Sequence, residues 1–84
     1  MLNEIQATII ERGKQYGDFD STAKLSQQLK AVLFSDDVDG AELAPHQKES
    51  MEMICLKLAR IRTGKNPGYD DNWRDIAGYA VLGG

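Results

Sequence analysis

The most constraining feature of this sequence is a segment near its middle that would be apolar on two sides of a helix. Its apolar residues follow a helical spacing and form one stripe, made of Met51, Ile54, Cys55, Leu58 and Ile61. Met53 and Leu56 fall about 140–160° from the centre of that stripe, at roughly 100° per residue. A helix of this kind must be covered on both sides. In a chain of 84 residues, we expect the other helices to cover one side and a second copy of the protein, or else the first helix, to cover the other.

Helical periodicity continues along the chain without strand alternation, and it predicts one all-α domain of four helices over residues 1–84. The predicted bounds are Asn3–Arg12, a helix capped by Asp20 or Ser21 and ending near Phe34, Pro45–Thr63 with Gly64 as its C-cap, and a helix capped by Asp70 or Asp71 and ending near Leu82. The third and fourth helices are expected to be antiparallel, and the assembly to be a homo-oligomer.

Apolar spacing also predicts which residues of the second and fourth helices face inward: Leu25, Leu29, Val32 and Leu33, then Trp73, Ile76, Ala77 and Ala80. The glycine-containing segment Gly13–Asp20 is predicted to be an ordered loop, and Phe19 within it is expected to be buried and to close one end of the bundle. Cys55 is expected to be a core residue, and His46 a surface residue.

The charge and the termini exclude several classes of protein. A net charge of −3 and a pI near 5.0 argue against general DNA binding, which needs a basic face. The chain begins with an acidic segment that does not resemble a signal peptide, and it has no apolar run that could span a membrane. With one free cysteine as well, these features indicate a cytoplasmic protein.

Four carboxylates are candidate metal ligands. Glu49 and Glu52 are spaced i, i+3 on the third helix, and Asp71 and Asp75 are spaced i, i+4 on the fourth. Antiparallel helices could bring the two pairs together, and such hard oxygen ligands suit Mg²⁺ or Mn²⁺. The alternative is that each carboxylate caps a helix or interacts favourably with a helix N-terminal dipole.

Basic and aromatic residues are candidate nucleotide ligands. Arg12, Lys14 and Tyr16 lie beside glycines, where a phosphate and a base could be held. Lys57 and Arg60 on the third helix could meet phosphate oxygens, or they could pair with nearby carboxylates. For Arg12, Lys14 and Tyr16, the alternative is that Tyr16 packs against the end of the bundle while the two charged side chains stay in solvent.

Three motifs in order make the chain similar to a family of small tailed-phage and prophage proteins. The segment Glu11–Phe19 resembles the ER-x-x-x-YG-x-F signature of that family, and Met53–Ile61 and Asp71–Ala80 resemble its two later motifs. A more distant resemblance, over the third and fourth helices, is to the MazG-like all-helical nucleotide pyrophosphohydrolases. That resemblance implies that Glu49 and Glu52 form one magnesium-binding pair and that Asp71 and Asp75, at a different spacing, form the other.

These resemblances leave three functions open. The first is a Mg²⁺-dependent enzyme that splits a nucleoside triphosphate into a monophosphate and pyrophosphate. The second is a non-catalytic protein that sequesters a nucleotide, such as a cyclic immune signal of the bacterial host, and so evades anti-phage defence. The third is a regulatory or structural phage protein that binds a host protein.

Overall fold

The computed structural model describes residues 3–9 and 18–84, and within these ranges the chain forms helices and the segments that join them. Residues 3–9 form α1, and the other helices are α2 at Phe19–Leu33, α3 at Pro45–Thr63 and α4 at Asp70–Gly83. No strand occurs in the described residues, so the prediction of an all-α chain with four helices is confirmed. The predicted end of the first helix at Arg12 lies outside the described residues.

The N-cap of α2 is Asp18, and not Asp20 or Ser21 as predicted. The Asp18 carboxylate accepts hydrogen bonds from the backbone N–H of Ser21 at 3.2 Å and from its hydroxyl at 3.0 Å. The prediction was wrong because Phe19 was assigned to a buried loop, whereas it is the first helical residue and is 77% exposed. Phe19 therefore does not close one end of the described bundle.

The bounds of α3 agree with the prediction. Pro45 occupies the first helical position, where its missing N–H costs no intrahelical hydrogen bond. The side-chain oxygen of Gln47 accepts from the backbone N–H of Ala44 at 3.1 Å, which satisfies a donor just before the helix. At the other end, Gly64 is the C-cap, and its N–H donates to the carbonyl of Arg60.

The start of α4 differs from the prediction. Tyr69 holds the N-cap position without a side-chain hydrogen bond to the helix, and Asp70 and Asp71 lie inside the first turn. Their charges favour the helix start through its dipole rather than through capping bonds. The turn before α4 is held by the Trp73 indole, whose Nε1–H donates to the carbonyl of Pro67 at 2.8 Å.

The helices α2, α3 and α4 form a single layer with α3 in the middle. Both outer helices contact α3 and do not contact each other. The hydroxyls of Thr22 and Thr63 lie 2.8 Å apart between α2 and α3, and Lys57 pairs with Asp75 between α3 and α4. The α3–α4 pair is antiparallel, as predicted, because Ser50 near the start of α3 lies against Gly83 at the end of α4.

Small residues occupy most buried positions of this layer, where the helices approach one another closely, and Lys57 and Asn72 are the larger polar exceptions. The described residues that are buried are Thr22, Ser26, Ser50, Cys55, Lys57, Ala59 and Asn72. Burial of Cys55 confirms its prediction as a core residue, and exposure of His46 agrees with its prediction as a surface residue. The inward faces predicted for α2 and α4 are wrong in most positions, since Val32, Leu33, Trp73, Ala77 and Ala80 are all exposed.

The predicted apolar stripes of the three helices instead share one side of the layer. We call it the open face and define it by Leu29 of α2, Leu58 of α3 and Ala80 of α4. Two grooves run along it, one of about 560 Å³ that contains Leu29 and Leu58 and one of about 230 Å³ that contains Ile54 and Ala80. Leu58, in the middle of α3, is 42% exposed there. The stripes therefore lie together on one side of the layer, and apart from Cys55 their members are partly or fully exposed among the described residues.

Among the helices that the structure describes, none combines the length and the apolar character needed to cross a membrane.

Candidate functional site

The site predicted from the sequence divides between α3, α4 and a loop. Arg12, Lys14 and Tyr16 lie outside the described residues. The other predicted ligands are on α3 and α4, and two of them form a close pair: Lys57 Nζ lies 2.8 Å from an Asp75 carboxylate oxygen. The Lys57 side chain is 10% exposed, whereas that of Asp75 is 47% exposed. A nearly buried ammonium thus receives its counter-charge from a carboxylate at the solvent boundary.

Pairing of Lys57 with Asp75 competes with binding of a metal ion by Asp75 and of a phosphate by Lys57. Burying a lysine without a counter-charge raises the free energy of the folded state. Asp75 therefore stabilises the packing of α3 against α4. An Asp75 carboxylate that neutralises Lys57 is a poorer ligand for a cation, and Lys57 is correspondingly a poorer ligand for a phosphate. The pair therefore weakens two of the sequence-based assignments at once.

The antiparallel register separates the two predicted carboxylate pairs along the helix axes. Since Lys57 lies beside Asp75 and Ser50 lies beside Gly83, Glu52 is at the level of Ala80. With a rise of 1.5 Å per residue, Glu52 is then displaced by roughly 8 Å from Asp75 and by roughly 14 Å from Asp71. Glu49 is one helical turn further away. Within one chain, α3 and α4 do not bring these four side chains together.

The described acidic side chains are also dispersed elsewhere in the fold. In the part of the chain that the structure describes, no three His, Cys, Asp or Glu residues form a group that could hold a metal ion. Asp70, in the first turn of α4, forms an exposed ion pair with Arg74 one turn later. Asp71 is exposed in the same turn, where the helix dipole accounts for its charge.

Glu52 lies in a different environment, near the interface of α2 and α3. Burial raises the pKa of the Cys55 thiol; Lys30 opposes that shift and Glu52 adds to it, so the charges of α2 and α3 meet near this thiol. Glu52 is half-buried and Glu49 is exposed. A thiol with a raised pKa is mostly protonated at neutral pH and is a weak nucleophile, in agreement with a structural role for Cys55.

One prominent buried residue was not predicted from the sequence. Asn72 is 1% exposed and lies where α4 packs on α3. Its side-chain nitrogen has no hydrogen-bond partner among the described residues, and neither does the hydroxyl of Ser26 on α2. The signal available in the sequence was the spacing of Asn72, Ile76, Tyr79 and Gly83, which places one polar and one very small residue on the same helical face as two larger ones.

Comparison with known proteins gives a family and no activity. Searches of curated proteins and of solved structures find no match. One family profile, described as a domain of unknown function (DUF6378), matches residues 1–84. Since the match covers the whole sequence, the chain belongs to the DUF6378 family.

Proposed function

We propose that this protein is a phage-type nucleotide-binding protein that holds its ligand without cleaving it, as a homo-oligomer in the cytoplasm of the bacterial host. The observation that favours binding over hydrolysis is the ion pair of Lys57 with Asp75. A pyrophosphohydrolase needs several carboxylates at one point to hold Mg²⁺ against a triphosphate. The register of α3 and α4 instead keeps Glu49 and Glu52 at a distance from Asp71.

The nucleotide part of this proposal rests on the sequence of the segment between α1 and α2, which lies outside the described residues. Arg12 and Lys14 offer charge-assisted donors to phosphate oxygens, and Tyr16 offers a ring that could stack on a base. The resemblance to phage proteins adds a biological context, in which the ligand is a host nucleotide such as a cyclic immune signal. A small anionic ligand is compatible with the net charge of −3, because it needs only a local basic pocket.

The first test is a calorimetric screen of linear and cyclic nucleotides, with and without Mg²⁺, in which the products are also analysed. We expect binding without release of pyrophosphate. Arg12→Ala should weaken binding about ten-fold or more, as the loss of a charge-assisted contact of roughly 1.5–3 kcal/mol implies. Lys24→Ala, at an exposed position of α2, is the matched control and should bind normally. Magnesium-dependent release of pyrophosphate would instead establish the hydrolase.

The second test separates a metal site from ordinary surface carboxylates. If Glu49, Glu52, Asp71 and Asp75 held Mg²⁺ together, magnesium would raise the melting temperature of the wild type, and much less that of Glu52→Gln. We expect no magnesium-dependent shift in either protein, because Asp75 neutralises Lys57. A shift in the wild type that Glu52→Gln abolishes would contradict this expectation and favour the enzyme.

A second candidate function, binding of a host protein, is favoured by the exposed apolar side chains. Val32 is 74% exposed and Trp73 is 50% exposed, both on helices that the structure describes. Exposed large apolar side chains on neighbouring helices are typical of protein interaction surfaces. Failure of every nucleotide in the screen, together with capture of one defined host protein by the wild type, would favour this alternative.

A further inference from the structure

The open face leaves large apolar side chains of α2, α3 and α4 exposed, among them Val32, Leu58 and Trp73. Large apolar side chains that would form a core lie on it, and only Cys55 and Ala59 are buried apolar residues in the described chain. The chain therefore has a layer of helices without the second layer that its apolar side requires.

The helices α2, α3 and α4 all contribute apolar side chains to the open face. Leu25 and Leu29 of α2 line the larger groove together with Leu58 and Ile61 of α3. The smaller groove continues the same side of α3 through Ile54 and reaches α4 at Ala80. Trp73 lies on the same face of α4 as Ala80, since the two are seven residues apart.

We infer that a second copy of this chain covers the open face, so that two three-helix layers pack face to face around a shared apolar core. The inference deepens the homo-oligomer part of the proposed function by naming its interface, and it does not depend on the nucleotide. It differs from the expectation based on Met53 and Leu56, which lie on the opposite side of α3.

The area of the open face agrees with this occupant. The helices α2, α3 and α4 have 15, 19 and 14 residues and are about 22, 28 and 21 Å long. Spaced by 8–10 Å they span about 25 Å, which makes a face of roughly 600 Å². Stable interfaces between proteins bury about 600–1000 Å² per partner. A second copy supplies an apolar surface of equal size, as a two-fold interface requires.

The first helix is too small to be the occupant. Residues 3–9 form about 10 Å of helix, and even the helix predicted through Arg12 would be about 15 Å long, roughly half the length of α3. Its apolar side chains Ile5 and Ile9 are themselves 51% and 64% exposed. A helix of that length could cover part of one groove, but it would leave the rest of the three-helix face open.

Charge favours one orientation of the two copies. Arg62 borders the larger groove near the end of α3. Leu43 borders the smaller groove near the start of α3 and belongs to residues 34–44 between α2 and α3, which we call the acidic connector. The connector carries exposed acidic residues at Asp36, Asp37, Asp39 and Glu42. An antiparallel arrangement of the two α3 helices would place Arg62 of each copy near the connector of the other, with opposite charges at both ends of the interface.

The test is light scattering and circular dichroism on the full chain without nucleotide. We expect the wild type to have twice the chain mass of 9.3 kDa, and Leu58→Glu to be a helical monomer. Val81→Glu is the matched control, because Val81 is 79% exposed on the side of α4 that faces away from α3. It should remain a dimer. Leu56→Glu, on the opposite side of α3, should also remain a dimer.

A second measurement on the wild type applies even if Leu58→Glu fails to fold. Trp73 is the single tryptophan and lies on the open face, so dilution below the dissociation constant should shift its fluorescence to longer wavelength. A wild-type monomer at micromolar concentration would overturn the inference, as would dissociation by Leu56→Glu while Leu58→Glu stays dimeric. If the wild type is a dimer but binds none of the nucleotides in the screen, that result would count against the proposed function alone.

Discussion

At the scale of single residues, the described interior depends on polar contacts made in a few places. The Lys57 side chain is nearly buried between α3 and α4, and its charge is balanced by Asp75 at the edge of the layer. Burial of a charge is tolerated only with a partner, so the partner is worth more here than on an open surface. The contribution of the Lys57–Asp75 pair to stability can therefore be compared with that of the exposed pair of Asp70 and Arg74.

We predict that Asp75→Asn lowers the free energy of unfolding by about 1–2 kcal/mol, since it leaves a buried ammonium with a weaker, neutral partner. The matched control is Asp70→Asn, which removes an exposed i, i+4 ion pair and should cost at most about 0.5 kcal/mol. Urea unfolding followed by circular dichroism measures both. Equal losses in the two variants would show that Lys57 is solvated in solution.

The N-cap of α2 should make the stability of the protein depend on pH. The hydroxyl and backbone N–H of Ser21 hold the pKa of the Asp18 carboxyl below its ordinary value of 3.8. The charged form is therefore the one that stabilises the folded state, and this contribution is present above pH 3.8 and is lost as the pH falls through the lower, folded-state pKa. In Asp18→Asn the cap is neutral, and we expect a smaller decrease of the melting temperature on acidification.

The control for the Asp18 experiment is Asp39→Asn, which removes one exposed carboxylate of the connector without removing a cap. Its melting temperature should depend on acid in the same way as that of the wild type. An identical acid dependence in Asp18→Asn and in the wild type would show that the cap hydrogen bonds do not persist in solution.

For single residues, the sequence predicted ion pairing and apolar burial better than it predicted which residues pack against each other. Pairing of Lys57 with Asp75 and burial of Cys55 were among the expected possibilities, because charge and spacing suggest them. Burial of Asn72 was not expected, because nothing in its own chemistry favours an apolar interior. It follows from the side on which α4 meets α3, which depends on the close approach at Gly83.

At the scale of helices, local signals predicted the bounds where a special residue marks them. Pro45 and Gly64 mark the ends of α3, and both were predicted correctly. Where several residues could cap a helix, as at Asp18, Asp20 and Ser21, the sequence did not show that Phe19 is the first helical residue and that Asp18 is therefore the N-cap. Apolar stripes were likewise visible in the sequence, but the side on which their partner lies was not.

The two glycines of α4 give a prediction about this helix. A Cβ at Gly78 would meet no other atom within 4 Å, so Gly78→Ala should stabilise the protein by about 1 kcal/mol through helix propensity. A Cβ at Gly83 would lie 3.1 Å from the Cβ of Ser50, so Gly83→Ala should lose that gain through crowding. Thermal unfolding of both variants measures the difference. A gain of equal size at both positions would show that α4 and α3 are further apart than described.

At the scale of the whole molecule, stability should depend on protein concentration. If the open face is buried only between copies, the folded oligomer is favoured by mass action, and the melting temperature should rise as the protein is concentrated. Calorimetric scans of the wild type over a wide concentration range measure this. The same scans on Leu58→Glu should show a lower melting temperature that no longer changes with concentration. A concentration-independent wild type would indicate a self-sufficient monomer.

The layer order of the helices also determines how the chain can assemble. Because α2 and α4 each contact α3 and not each other, every described contact between these helices joins neighbours along the chain. No long loop has to close before a favourable contact forms, and topologies of this kind fold rapidly. It also follows that α2 can open while the more extensive α3–α4 hairpin stays formed. In hydrogen exchange, the amides of α2 should then lose protection in a smaller opening than those of α3.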